Sequence, residues 1–405
     1  MRRLATLGLG AIVVAACGSS SASSPPRPGA TVSSRAVPIV VETTNAEPSD
    51  REDVPSGLRS FREPRDDLPS PTIDLSRLRS GGPPPDGIPA IDDPTFYAAS
   101  SVDYMEPQSP VLALEIDGDA RAYPLDVMVW HEIVNDTVGG VPVAVEYCPL
   151  CNSATVFDRR VAGRVLDFGV SGLLYNSSLV MYDRQTETLW SHFAGVPLYG
   201  LLGEEELVDY PVTIVGFEEW RTAHPDGLVL SRETGHDRNY GVNPYPGYDD
   251  VDSDPFLFEG DVDGRYTAMT RVVGVALDPT PSTPSVAFPL LELREAGIAT
   301  ATLGDVAIVA LWVPGSASAL DRASVSAGVD VGATGVFSAT VADRRLTFQT
   351  VDGTISDVET GSTWNIFGEA IAGELAGTRL DQLVHIDTFW FAWTAFHPDT
   401  DVVSP

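Results

Sequence analysis

Two cysteines three residues apart are the residues best suited to chemistry in this 405-residue chain. They stand in Tyr147-Cys148-Pro-Leu-Cys151-Asn-Ser153. The apolar run 141–147 just before them reads as a strand, so a tight turn would aim both thiols at one centre, as in zinc knuckles. The chain has no second cysteine pair, because Cys17 is the only other cysteine. A metal bound here therefore needs other ligands, and His131 and Met128 lie just upstream on a predicted short helix within 124–136. Cys, His and Met together favour copper over zinc, since soft donors suit Cu(I). The expected site is a copper or zinc ion held by Cys148, Cys151 and His131, with Met128 or water as the fourth ligand. Two further readings stay open: thiol–disulfide exchange and a structural disulfide formed in an oxidising compartment. A thioredoxin-like pair normally opens a helix, whereas 153–157 reads as strand.

Other chemistries lack their residues. His131-Glu132-Ile-Val-Asn135 misses the second His of a zinc-protease helix, so Glu132 is expected as a supporting partner of His131. His192 is a weaker extra ligand candidate. All 25 basic residues are arginine, which excludes lysine Schiff bases and a P-loop lysine. The serine-hydrolase elbow and a dinucleotide fingerprint are also absent from the sequence. Whether the protein is an enzyme stays open. A non-enzymatic module that binds glycan or protein through Trp- and Tyr-rich loops would need the cysteines only as a disulfide.

The elements that must position these residues follow a leader and a tether. Met1-Arg-Arg precedes a thirteen-residue apolar run, 4–16, which suits a secretory signal and is too short to span a bilayer. The run ends Val14-Ala-Ala-Cys17-Gly, which resembles a bacterial lipobox. Cys17 is the expected lipidation site, residues 1–17 the signal peptide, and the setting extracytoplasmic, with the membrane reached through the lipid anchor. Residues 18–85, rich in Ser, Pro, Arg and Asp, read as a disordered tether, although apolar residues at 58–78 could pack locally. The 320 residues after it carry 15 Arg against 48 acids. So acidic a body repels nucleic acid and anionic headgroups. No protein or small-molecule partner is specified.

The body reads as a tandem duplication. Ala122-Tyr-Pro-Leu125 resembles Ala287-Phe-Pro-Leu290. Asp183-Arg-Gln-Thr186 with Trp190 resembles Asp357-Val-Glu-Thr360 with Trp364. Phe217–Asp226 resembles Trp390–Asp399, including Trp220, His224 and Pro225 against Trp393, His397 and Pro398. Two further matches join Ser153-Ala-Thr-Val-Phe-Asp158-Arg159 to Ser316-Ala-Ser-Ala-Leu-Asp321-Arg322, and Asp167–Gly172 to Asp330–Gly335. The recurring Trp, His and Asp residues are expected to serve packing and turns. The Cys and His set belongs to copy one alone, which marks it for function. Period-two patterning around Gly, Pro, Asn and Asp turns predicts a mainly β fold, sandwich- or barrel-like, with a few short helices. The expected parts are copy one at 86–231, an acidic, Tyr-rich connecting segment at 232–269 and copy two at 270–405.

His131-Glu-Ile-Val-Asn-Asp136, Tyr147-Cys-Pro-Leu-Cys151, Gly169-Val-Ser-Gly172, Met181-Tyr-Asp-Arg-Gln-Thr186 and Trp190 together resemble the bacterial domain-of-unknown-function family numbered 3179. Gly373-Glu-Leu-Ala-Gly377 and Trp390-Phe-Ala-Trp393 extend the resemblance over roughly 90–405. It implies a shared architecture and an extracytoplasmic setting, and supplies no reaction. His192 stands where that family more often has Gln.

Overall fold

After the short strand Phe96–Ala98 comes the hairpin that the Asp-Gly dipeptide predicts. Pro110–Ile116 pairs antiparallel with Asp119–Pro124. Asp117 and Gly118 between them both have positive φ, as a two-residue hairpin turn requires. Helix Leu125–His131 leads into the antiparallel strands Ile133–Val138, Val141–Cys148 and Ser153–Asp158. Phe168–Tyr175, Ser178–Asp183, Leu189–Ser191 and Pro197–Tyr199 then form a meander. Thr213–Gly216 returns to Pro110–Ile116, helix Phe217–Ala223 follows, and Leu228–Leu230 closes in parallel on Asp119–Pro124. The fold is mainly β. These relationships come from a computed structural model that describes residues 40–41, 45–48, 57–278 and 283–405. The proposed signal peptide and Cys17 lie outside the described residues.

The same order of elements recurs from residue 271 onward. Arg271–Ala276 pairs with Ser285–Pro289, helix Leu290–Ala296 follows, and Ile298–Leu303, Val306–Val313 and Ala333–Ser338 form the next sheet. Phe348–Val351, Thr354–Asp357, Thr363–Trp364 and Ala370–Ala372 give a second meander. Ile386–Phe389, helix Trp390–Phe396 and Asp401–Val402 complete the run. In both meanders an aspartate accepts the indole N–H seven residues on: Trp190 to Asp183 at 3.1 Å and Trp364 to Asp357 at 3.0 Å. The same carboxylates cap the turns at Thr186 and Thr360, a structural use of the recurring residues.

Two of the local matches do not survive in the ladder. Ala333–Ser338, not 316–322, stands in the place of Ser153–Asp158, since both strands pair with the one before them in the same way. Residues 314–332 form a long connection where the first run has only the turn 149–152. Likewise Phe348–Val351, not 330–335, matches Phe168–Tyr175. Short Ser-Ala and Asp-Arg strings arise at many turns, whereas hydrogen-bond register fixes equivalence.

The two runs share their apolar interior. Cys148, Cys151, Phe157 and Trp190 lie in one buried cluster with Trp390, Phe391 and Trp393. Residues 57–85, expected at the end of the tether, also pack. Arg79–Ser80 adds to strand Phe168–Tyr175, and Leu68, Leu75 and Leu78 are buried against Leu173, Val180 and Leu189. Gly172 allows this crossing: a Cβ there would lie 2.0 Å from the Pro83 carbonyl oxygen, and its φ of 76° suits glycine.

Candidate functional site

The Cys-Pro-Leu-Cys turn is held from several directions. Cys148 ends one strand and pairs with Ser153, which starts the next. Asn152 takes a positive φ of 50° within the turn, and its Oδ1 accepts the Tyr147 hydroxyl at 3.0 Å. The Cys151 carbonyl accepts Thr388 Oγ1 at 2.7 Å and the Phe389 N–H at 3.2 Å, both from the second run. The Leu150 carbonyl accepts the Tyr248 hydroxyl at 3.0 Å, from the connecting segment. Both thiols are free and buried, at 1% and 0% exposure.

A chain of polar side chains runs inward from Cys151. Its Sγ lies 2.9 Å from Ser153 Oγ, which lies 2.8 Å from His192 Nε2. His192 Nδ1 lies 2.8 Å from Glu146 Oε2 and 3.1 Å from Thr155 Oγ1. Ser178 Oγ adds a contact to Cys151 at 3.6 Å. Period two explains the placement: Ala144, Glu146 and Cys148 share one face of their strand, opposite Ser153 and Thr155 on the next.

Burial sets the protonation preferences. It pushes the Glu146 carboxyl well up and the His192 imidazole down, so both favour their neutral forms. Burial also pushes the Cys148 thiol well up, helped by its hydrogen bond with Cys151. For Cys151 burial again acts upward, but hydrogen bonds from Cys148, Ser153 and Ser178 outweigh it and bring the thiol below its ordinary value. The surroundings thus bias Cys151 towards its thiolate and His192 and Glu146 towards their neutral forms, each relative to its ordinary value. Glu146 Oε1 has no partner among the described residues.

The second run repeats these strand pairings without this chain. Glu146 faces Ile133 as Leu311 faces Ile298, and faces Thr155 as Leu311 faces Gly335. Cys148 and Ser153 correspond to the pair Val313 and Ala333. His192, two residues after Trp190, corresponds to Ile366 after Trp364. Leu311, Ala333 and Ile366 all lie in one apolar cluster. The second run thus closes with apolar side chains at these positions.

Glu132 adjoins the cysteine strand, where its carbonyl accepts the Tyr147 N–H at 2.8 Å. It ends helix Leu125–His131 at φ 61° and ψ −30°, left-handed backbone that a glutamate adopts only at a cost. It lines a cleft of about 270 Å³ together with Leu150, Val170, Leu179, Tyr245 and Tyr248. Burial, with Cys148 and Glu146 nearby, pushes its carboxyl well above the usual range.

Of the sequence-expected ligands, the structure brings Cys148 and Cys151 together and engages the others elsewhere. His131 is fully buried: Nδ1 contacts the Pro89 carbonyl at 2.7 Å and Nε2 the Tyr240 hydroxyl at 2.6 Å. Both ring nitrogens are thus occupied in tying loops together. Met128 packs in the apolar cluster with Tyr123 and Val145, whereas the cysteines belong to another. Glu132 makes no hydrogen bond to His131. Among the described residues no three His, Cys, Asp or Glu side chains are grouped to hold a metal. Sequence reasoning underrated His192 and passed over Glu146 and Ser153. Their signal was present as a charged residue on the cysteine face of an apolar strand.

The profile described as "Protein of unknown function (DUF3179)" matches residues 85–400. No curated protein and no solved structure matches the chain.

Proposed function

We propose that this chain, which belongs to the DUF3179 family, is a lipid-anchored, extracytoplasmic protein whose Cys148–Cys151 pair is a redox centre with its own proton relay. One observation carries this reading: Glu146, His192 and Ser153, which lead to Cys151, occupy positions that are Leu311, Ile366 and Ala333 in the second run. The recurrence of elements supports a tandem duplication in which one unit kept a scaffold role.

The relay works by switching hydrogen bonds. With Cys151 protonated, its thiol donates to Ser153 Oγ, the Ser153 hydroxyl donates to His192 Nε2, and Nδ1–H donates to the Glu146 carboxylate. Shifting each proton one place along leaves a Cys151 thiolate and a protonated Glu146, while His192 stays neutral throughout. No charge is left on the imidazole at either end. The thiolate is the nucleophile that attacks Cys148 Sγ in a mixed disulfide with an external thiol, closing the Cys148–Cys151 bond and releasing that thiol; an external thiolate reverses the step.

The test is redox equilibration in glutathione buffers, followed by alkylation and peptide mapping. A reversible two-electron couple confined to Cys148 and Cys151 in the folded protein is expected. Thiols that stay reduced in every buffer until the protein unfolds would remove the proposal.

A second reading has its own observation. Cys148 and Cys151 flank one tight turn and each perturbs the other's thiol, so one soft cation could be held between two thiolates without His131 or Met128. Copper or zinc at one equivalent, lost in Cys151→Ser and retained in His131→Ala, would support it.

A further inference from the structure

Neither cysteine lines the cleft over Glu132, and its wall points to a ligand of its own. Leu150, Val170 and Leu179 contribute apolar surface, and Tyr245 and Tyr248 come from the connecting segment. An apolar cavity of about 150 Å³ admits benzene, so about 270 Å³ accommodates one ring with a short side chain. The Glu132 backbone is fixed on both sides, its N–H by the Met128 carbonyl and its carbonyl by the Tyr147 N–H, each at 2.8 Å. Glu132 is only 7% exposed and lines the cleft, and its carboxyl makes no hydrogen bond within the described residues. Buried polar groups are nearly always partnered. This one is also held in left-handed backbone where the second run has Gly297, against its local preference.

The surroundings favour a cation as the missing partner. Among the described residues no basic side chain lines the cleft. Residues 86–405 carry 15 Arg against 48 acids, a field that draws cations in and turns anions away. The Tyr245 and Tyr248 rings meet at 60° with centroids 6.5 Å apart, and ring faces attract a cation placed over them. We propose that the cleft binds a small primary amine carrying one aromatic ring, with its ammonium hydrogen-bonded to the Glu132 carboxylate and its ring against Leu150, Leu179 and Tyr245. In the empty cleft burial pushes the carboxyl well above its usual range. An ammonium in contact supplies the opposite charge that favours the carboxylate, and the proton of Glu132 leaves to solvent as the pair forms. An anionic ligand would meet Glu132 without a counter-charge, and a purely apolar one would leave it unpartnered. The site goes beyond the redox reading and does not rest on it.

The experiment is calorimetric titration of the full chain in detergent with 2-phenylethylamine and with 2-phenylethanol, which has nearly the same shape and no charge. Saturable amine binding is expected, about tenfold or more tighter than that of the alcohol, since a hydrogen bond to a charged group is the stronger one. Glu132→Gln keeps the size and hydrogen-bonding capacity of the side chain and removes its charge. It should weaken the amine about thirtyfold, the scale of a lost hydrogen bond between charged groups, and leave the alcohol near its wild-type affinity. An alcohol that binds wild type as tightly as the amine overturns the proposal in favour of a neutral ligand, and that comparison needs no variant. Unchanged amine affinity in Glu132→Gln, or no saturable amine binding to wild type, overturns it as well. None of these outcomes bears on the oxidation of Cys148 and Cys151, so the redox reading stands or falls by its own test.

Discussion

Glu132 and Gly297 occupy the same place in the two runs of elements. Each follows a seven-residue helix in left-handed backbone, at φ 61° and 75°, with its N–H bonded to the carbonyl four residues back, Met128 and Leu293. Glycine adopts this conformation at no steric cost and glutamate does not. The first run thus holds a strained, buried acid where its counterpart uses the residue that fits.

Replacing Glu132 by Gly should therefore stabilise the protein, by about 1 kcal/mol from relief of strain alone. The gain should grow with pH. The folded-state carboxyl is raised above its unfolded value, so wild-type stability is fully present below about pH 4.5 and is lost as pH rises through the folded value. Thermal melts of both proteins at pH 4 and pH 8 check this; a gain that shrinks with rising pH would contradict it.

Breaking the relay on one side should cost more than removing it. His192→Ile alone strands Glu146 in an apolar interior and should cost about 2 kcal/mol. Adding Glu146→Leu recreates the pairing of Leu311 with Ile366 and should recover most of the loss. A double-mutant cycle by urea unfolding reads the coupling directly.

The two thiols should titrate far apart. One step should fall below the ordinary cysteine value of 9 and belong chiefly to Cys151, while the other lies well above it. Thiolate ultraviolet absorbance against pH measures both. Cys151→Ser should abolish the lower step, and loss of the upper step instead would reverse the assignment.

His131 should act as an acid-sensitive fastener. Burial lowers its imidazole to about 4, so the neutral ring is the folded form. Its stabilising effect is present above the unfolded value of about 6.5 and is lost as pH falls towards 4, by about 2 kcal/mol. His131→Gln should flatten the stability profile between pH 6.5 and 4. His397, also lowered to about 4 by burial, leaves a residual slope in that variant.

Much of this protein was legible in the residue order. Period-two runs and the Asp117-Gly118 turn gave the β character, because side-chain alternation and turn dihedrals are local properties. The spacings Asp183 to Trp190 and Asp357 to Trp364 exposed the recurring meander, because one short hydrogen bond joins residues seven apart. The closeness of Cys148 and Cys151 was fixed by a two-residue gap.

Only the tertiary structure decided the rest. His131, seventeen residues before Cys148, turns to Pro89 and Tyr240, while His192, forty-one residues after Cys151, reaches Ser153 and Glu146. No local rule joins a meander strand to a distant hairpin; sheet packing does. Register corrected the matches at 316–322 and 330–335, since a ladder counts hydrogen bonds and a string comparison counts letters. The cleft over Glu132 likewise exists only because residues 81–88 and Tyr245, Tyr248 and Phe256 fold across it. Composition governs which side chains can be buried, and the path of the chain governs which of them meet.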